Sequence, residues 1–469
     1  VIFFLSAVAI HGTLHAGNIQ KEAVPPYQSN GFFVSYYMDE FYGIAELEEM
    51  QNFYACAVLD LTRESGLCDT TWVLQWWEPI DHGELDMAQV IEDFETLPEI
   101  TVTPNYQYRV EWSPEDPVIE VQTPYINPND SLFPLQWHMQ QDQINMPYVW
   151  KKTMGSPEVV IGIIDTGVWS DHEDLQANLW INPGEDLNGD GIIQAEEVNG
   201  IDDDDNGYPD DFVGWDWVDD DNDPRHPVDD FEYHGTKVIG VASATTNNHL
   251  GVAGAGWNCT YMPLRSGVGG GLWIQYIVPA MLYSIQQNVD VLNCSWYNYY
   301  GNPVLEKLTE CLYDSGTVVV CAAGNDGRDD VAYPAGYECA VAVAATEQDK
   351  SLAPFSNYGD WIHIAAPGED ILTTSTWPDS LGEFVSIYSD PDGTSFSAPL
   401  VSGVAALIKT LRPEWTSGQI IQRLYNTTDP INVGDDPPGH SIDGGMLNAY
   451  KAVNIPDIVV VPEEAGVIE

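Results

Sequence analysis

Val159-Val-Ile-Gly-Ile-Ile-Asp165-Thr-Gly-Val168 is an apolar run of buried-strand length that ends on a carboxylate and a glycine turn. In an α/β protein, active-site groups collect at the carboxyl ends of parallel strands, which makes Asp165 a candidate. Further along, His234-Gly-Thr-Lys-Val-Ile-Gly-Val-Ala242 places small and apolar residues at helical spacing after a histidine, so the imidazole is expected at a helix start. Gly393-Thr-Ser-Phe-Ser-Ala-Pro399 runs into the helical pattern Leu400-Val-Ser-Gly-Val-Ala-Ala-Leu-Ile408. Ser395 then opens a helix whose free N–H groups and dipole face developing negative charge. A fourth element, Val318-Val-Val-Cys-Ala-Ala-Gly-Asn325, is another apolar strand, ending on an amide side chain.

The chemistry of these residues is complementary. A serine hydroxyl becomes a competent nucleophile when a base takes its proton, and histidine has the unperturbed pKa for that task near neutral pH. His234 is the expected base for Ser395, with Asp165 holding the ring in the correct tautomer and stabilising the imidazolium. Asn325 is the expected second donor to the oxyanion, beside the backbone N–H of Ser395.

Asp165-Thr-Gly, His234-Gly-Thr, Ala322-Ala-Gly-Asn325 and Gly393-Thr-Ser-Phe-Ser-Ala-Pro399, in that order, resemble the motifs of subtilisin-like serine proteases. The resemblance covers roughly residues 130 to 455. It implies a three-layer α/β domain with a mainly parallel sheet, preceded by a small α+β prodomain, and peptide-bond hydrolysis through an acyl-enzyme. Two departures stand out. Lys237 occupies the position where the family commonly has a second histidine. In Asp290-Val-Leu-Asn-Cys-Ser-Trp-Tyr-Asn298, which resembles the strand lining the main specificity pocket, Trp296, Tyr297 and Asn298 stand where a leucine and two glycines are usual. The resemblance makes Ser295, Trp296, Tyr297 and Gly324 candidate substrate contacts. The large rings there either narrow the pocket, stack on substrate, or pack on neighbouring loops.

Composition sets the surroundings. The 469 residues leave room for more than one domain, and an apolar content of 44% suffices for real cores. A formal charge of −58, from 73 acidic and 15 basic residues, argues against a nucleic-acid partner and disfavours anionic membranes. Residues 185 to 230 hold 18 of the acids and one basic residue, Arg225, leaving −41 spread over the rest. Bound cations thus account for part of the excess, and the remainder suggests a salty or cold habitat.

Within the acidic insert, 182–230, Asp186-Leu-Asn-Gly-Asp-Gly-Ile-Ile-Gln-Ala-Glu-Glu197 matches an EF-hand loop, with Asp186, Asn188, Asp190 and Glu197 as candidate calcium ligands. A second run, Asp202-Asp-Asp-Asp-Asn-Gly-Tyr-Pro-Asp-Asp211, repeats the opening half but has Val213 where the closing glutamate would fall. Asp202, Asp204, Asn206 and Asp210 are its candidate ligands. The expected role of Ca2+ is structural. By resemblance, Asp174, Asn247 and Asn248 lie near a further structural calcium position.

Val1-Ile-Phe-Phe-Leu-Ser-Ala-Val-Ala-Ile10 and the following residues to Gly17 read as the apolar core of a secretory signal lacking its first residues. Residues 18–125 are expected to form the prodomain, an intramolecular inhibitor removed by a cut between roughly Arg109 and Asn127. Its sequence includes the strand-like Gly31-Phe-Phe-Val-Ser-Tyr-Tyr37 and Ile100-Thr-Val-Thr103, with a helical stretch near Met87 to Thr96. Residues 126–455 form the peptidase domain, and 456–469 a linker or the start of a missing module, which leaves cell-surface attachment open. No other segment is long enough for a membrane span. Of seven cysteines, Cys56 and Cys68 are placed to close a small loop, Cys294 and Cys321 read as buried hydrophobes, and bridges from Cys259, Cys311 or Cys339 stay open.

The expected product is a secreted endopeptidase with protein or peptide substrates. An esterase is disfavoured, because Gly-x-Ser-x-Gly and the order serine, acid, histidine are both absent. A catalytically dead scaffold binding calcium at a surface, or a narrow-specificity processing protease, are the alternatives.

Overall fold

The computed structural model describes residues 128–140, 142–226, 233–268, 270–378, 384–431 and 441–455, together with the backbone of five strands before residue 110. Those five are β1 (Phe32–Tyr37), β2 (Cys56–Asp60), β3 (Trp72–Pro79), β4 (Thr101–Pro104) and β5 (Gln107–Arg109). β1 to β4 make an antiparallel sheet in the order β2-β3-β1-β4. The two strand-like runs read from the N-terminal sequence coincide with β1 and β4. The signal segment, the helical stretch near Met87 and residues 456–469 lie outside the described residues.

The centre of the molecule is an eight-stranded sheet. Its strands are β6 (Val160–Asp165), β7 (Trp215–Asp216), β8 (Thr260–Arg265), β11 (Val291–Cys294), β12 (Val318–Ala322), β13 (Ala340–Thr346), β14 (Ile364–Pro367) and β17 (Gly445–Met446). Their order is β17-β14-β13-β12-β11-β6-β8-β7, and the paired neighbours run parallel.

Side chains that alternate along these strands enter two separate cores. Ile161, Ile163, Val318, Val320 and Ala322 join one, whereas Val160, Ile164, Val319 and Cys321 join the other. A strand with both faces buried must be apolar throughout, which is why these runs lack the polar alternation of a solvated sheet. Seven helices cover the faces among the described residues: α1 (Met146–Val149), α2 (His234–Ser243), α3 (Ile274–Gln286), α4 (Pro303–Ser315), α5 (Thr394–Leu411), α6 (Ser417–Tyr425) and α7 (Ala449–Val453). α2 and α5 pack in the first core, α3 and α4 in the second. This is the expected three-layer α/β arrangement.

Two small antiparallel units complete the fold. β15 (Thr373–Pro378) and β16 (Phe384–Ser389) form a hairpin. β9 (Gly267–Val268) and β10 (Gly271–Trp273) form a ribbon that β5 extends, with Arg109 opposite Gly271 and Gln107 opposite Trp273. α5 is the one described helix long and apolar enough to cross a membrane, and it is the central buried helix of the domain.

Candidate active site

Adjacent strands β6, β11 and β12 end side by side: Asp165 is the last residue of β6, and the continuations of β11 and β12 carry Ser295 and Asn325. His234 begins α2 and Ser395 is the second residue of α5. His234 Nδ1 lies 2.8 and 3.1 Å from the two carboxylate oxygens of Asp165. One of those oxygens also accepts the Thr166 N–H at 2.7 Å. A ring nitrogen facing a carboxylate carries the proton, so Nε2 holds the free lone pair. That atom is buried and has no hydrogen-bond partner among the described residues.

Pro399 explains how Ser395 is set. A proline has no N–H to give the carbonyl four residues earlier, so in α5 the carbonyl of Ser395 loses its helical partner. It accepts the Ser295 hydroxyl instead, at 2.8 Å. The Ser395 hydroxyl in turn donates to the Ser295 carbonyl at 3.2 Å. These two bonds fasten the helix start to the end of β11.

Asn325 is oriented by the same helix. Its Oδ1 accepts the backbone N–H and the hydroxyl of Thr394, at 2.9 and 2.7 Å, so Nδ2 points the other way. Gly393 has φ +145°, and a β-carbon there would stand 3.2 Å from Nδ2. The glycine therefore leaves room in front of the amide. Nδ2 and the Ser395 N–H at the start of α5 are donors of the kind that stabilise an oxyanion.

The candidate substrate contacts divide. Ser295 touches Ser395, and Tyr297 rests against Gly324. Trp296 does not face the site: it is fully buried in the second core, its Nε1 donating to the Ile164 carbonyl at 3.1 Å. Trp296 and Tyr297 thus turn to different surroundings, the first into the second core and the second toward Gly324. The edge of β10, which accepts β5 as an added strand, was not singled out in the sequence. Three glycines and a leucine gave no strand signal there.

The family model described as the subtilase family matches residues 156–450. The chain belongs to the subtilase family.

The extracellular serine protease Nep of Natrialba magadii, described as halolysin-like, is 34% identical over 70% of this chain, which spans 52% of that relative. Thermitase of Thermoactinomyces vulgaris is 33% identical over 70% of this chain and 99% of its own. Fervidolysin from Fervidobacterium pennivorans, a solved structure, shares the fold with a TM-score of 0.68 at 19% identity, covering 92% of this chain and 62% of that one.

In this subtilase Lys237 lies one turn after His234 and is buried. Burial pushes its pKa down to about 8, with the charge of Asp390 acting in the opposite direction. Among the described cysteines, Cys259, Cys294 and Cys321 are buried and free, and Cys339 is free and half-buried. The bridges left open for Cys259 and Cys339 are therefore absent, whereas Cys311 is disulfide-bonded.

The acidic insert folds into two loops with the same internal bond. Asp186 Oδ2 accepts the Gly191 N–H, and Asp202 Oδ2 the Gly207 N–H, each at 2.7 Å. In the first loop Glu197 accepts from Asn188 and Gln194, Asn188 from Asp190, and Asp190 from Ile192. In the second, Asp204 and Asp202 both accept from the Asn206 N–H, while Asp210 turns to the N–H groups of Asn199 and Gly200.

Asp204 instead meets two residues that the loop pattern missed. Ligand atoms of Glu185, Asp204 and Asp211 lie within 4.8 Å of one another. Glu185 and Asp211 are fully buried, and one oxygen of Glu185 has no hydrogen-bond partner among the described residues. Burial pushes the Asp211 pKa up to about 7, against hydrogen bonds from Tyr283, Asn206 and Asn182. Three converging carboxylates with an unsatisfied buried oxygen fit a hard cation such as Ca2+.

A second gathering joins Asp130, Asp174 and Asn248. Asp130 accepts the N–H groups of Asn247 and Asn248, and Asn248 Nδ2 donates to Asp174 at 2.7 Å. Burial raises Asp130 to about 6 and Asp174 to about 7. Asp130 escaped sequence reading because it lies more than 40 residues from Asp174 and outside any motif.

Proposed function

We propose that this subtilase is a secreted serine endopeptidase stabilised by Ca2+. Ser395 attacks the peptide carbonyl as His234 Nε2 takes its proton, which requires the hydroxyl to swing from the Ser295 carbonyl to the imidazole. Triad bonds are often loose before substrate binds. Asp165 holds the ring and stabilises the imidazolium, while Asn325 Nδ2 and the Ser395 N–H receive the developing negative charge. His234 passes the proton to the leaving amine, and water then repeats the cycle on the acyl-enzyme. The observation that carries this reading is the His234–Asp165 pair beside an Asn325 amide whose carbonyl is already committed to Thr394.

Ca2+ would be held by Glu185, Asp204 and Asp211, by the loops of Asp186, Asn188, Asp190, Glu197, Asp202 and Asn206, and by Asp130 and Asp174. Its contribution is charge neutralisation in the fold. Residues 18–125 are the prodomain in this reading. The addition of β5 to the edge of β10 supports it, since a strand bound there can occupy a substrate's place. Export is supported by the apolar N-terminus and by relatives named as extracellular proteases.

The test is casein hydrolysis by the calcium-loaded full chain beside Ser395→Ala, with prodomain loss followed on a gel. The parent is expected to trim itself and digest casein, and the variant to do neither. Equal inactivity of both, with no fluorophosphonate labelling of Ser395, would overturn the proposal and favour a dead scaffold.

A further inference from the structure

Beyond the Cys294–Cys321 pair the β11–β12 ladder ends and the two continuations bond elsewhere, Asn298 to Tyr333 and Gly324 to Asn357, which leaves a gap between 295–297 and 323–325 beside Ser395. An acyl group on Ser395 with its oxygen at Asn325 would have this gap beside its side chain, since Ser295 is bonded to Ser395 and Gly324 precedes Asn325. Ser295 bonds to Ser395 and Tyr297 lies against Gly324, whereas Trp296 turns into the second core and donates to Ile164. A β-carbon on Gly324 would stand 3.1 Å from Cδ2 and Cε2 of Tyr297. The ring therefore bridges from one wall to the other.

The ring is also held in place. The Tyr297 hydroxyl donates to Asp326 Oδ2 at 3.0 Å, and the Tyr299 hydroxyl donates to the same oxygen at 2.7 Å. Asn357 Nδ2 donates to the Tyr299 hydroxyl at 2.9 Å, and the Arg328 guanidinium lies 4.1 Å over the Tyr299 ring. Asn357 Oδ1 accepts the N–H groups of Asp326 and Arg328, which fixes the carboxylate that anchors both tyrosines. Displacing Tyr297 would break this network and overpack its surroundings.

We infer that Tyr297 is a specificity-determining residue that fills the gap and restricts the residue on the acyl side of the scissile bond to a small side chain such as alanine, glycine or serine. The inference rests on the peptidase reading and narrows its substrate class.

Two peptidyl phosphonates that differ only in carrying an alanine-like or a phenylalanine-like group test it, with labelling of Ser395 read by mass. The mature enzyme is expected to react at least ~10-fold faster with the small group, the lower end of discrimination by pocket size. Tyr297→Gly is expected to remove or invert that ratio by speeding the large group. Tyr297→Phe, which keeps the ring, is expected to retain the small preference. If Tyr297→Gly does not accumulate, the parent ratio and Tyr297→Phe decide. Equal or faster labelling by the large group in the parent, or an unchanged ratio in Tyr297→Gly, would overturn the inference while leaving Ser395 reactive. Failure of even a simple fluorophosphonate to label Ser395 would instead remove the peptidase reading and this inference with it.

Discussion

Asn325 has no freedom to reverse its amide, because both donors that reach it, the N–H and hydroxyl of Thr394, require Oδ1. The Nδ2 group is therefore preorganised, and a donor aimed at charge that exists only in the transition state affects turnover more than binding. Asn325→Ala is expected to lower kcat by roughly 100- to 1,000-fold with KM nearly unchanged. A loss confined to KM would refute the role. His138 provides a separate prediction, about stability. It is fully buried with neither ring nitrogen hydrogen-bonded among the described residues, and burial pushes its pKa from 6.5 down to about 3. Between those values the unfolded chain takes up a proton that the folded state refuses. Stability is thus lost as pH falls below 6.5, by at most about 1.4 kcal/mol per unit. His138→Leu is expected to unfold at a lower pH than the parent in an acid titration followed by circular dichroism. An unchanged or higher midpoint would show that burial of this ring does not set acid sensitivity.

At the scale of elements, what the sequence made legible tracks how local each signal is. The strand ending at Asp165 and the helix starts at His234 and Ser395 follow from runs of neighbouring residues, so pattern alone located them. The reciprocal bonds between Ser295 and Ser395 span 100 positions and depend on a proline removing one N–H, which no periodicity reports. Of the settings open to the rings at 296 and 297, Trp296 takes packing, because its contact with Ile164 comes from the neighbouring strand and not from the local run. The acidic insert shows the same division. Its loop geometry repeats a local pattern, whereas Glu185 and Asp211 join Asp204 only through the fold. That convergence makes a crossed prediction for Glu185→Gln. In chelator the substitution removes a buried like charge and is expected to leave the melting temperature equal to or above the parent's. In calcium it removes a ligand and is expected to leave it below. The parent itself should lose stability on chelation, since a cation at ~100 times its Kd contributes about 2.7 kcal/mol. Parallel shifts of parent and variant in both buffers would dismiss the cluster as a cation site.

For the whole molecule the deciding quantity is charge. Bound cations act where carboxylates converge, but the −41 outside residues 185–230 is distributed over a chain with few basic partners. The described ion pairs outside that segment are few, such as Lys307 with Glu310 and Arg328 with Asp330, so pairing neutralises little of it. Self-repulsion across a folded surface is relieved when the chain expands, and so it works against the compact state. Monovalent salt weakens it by shortening the screening length from about 10 Å near 0.1 M to about 3 Å near 1 M. With calcium saturating throughout, the melting temperature is expected to climb with sodium chloride over this range and then level off once screening is nearly complete. The rise should exceed that given by sucrose at matched osmolarity, which strengthens burial without screening charge. It should also shrink when several exposed acids remote from the insert are replaced by their amides. A melting temperature flat in salt at saturating calcium would mean that the surface charge is already neutralised, and the salty-habitat reading of the composition would fall.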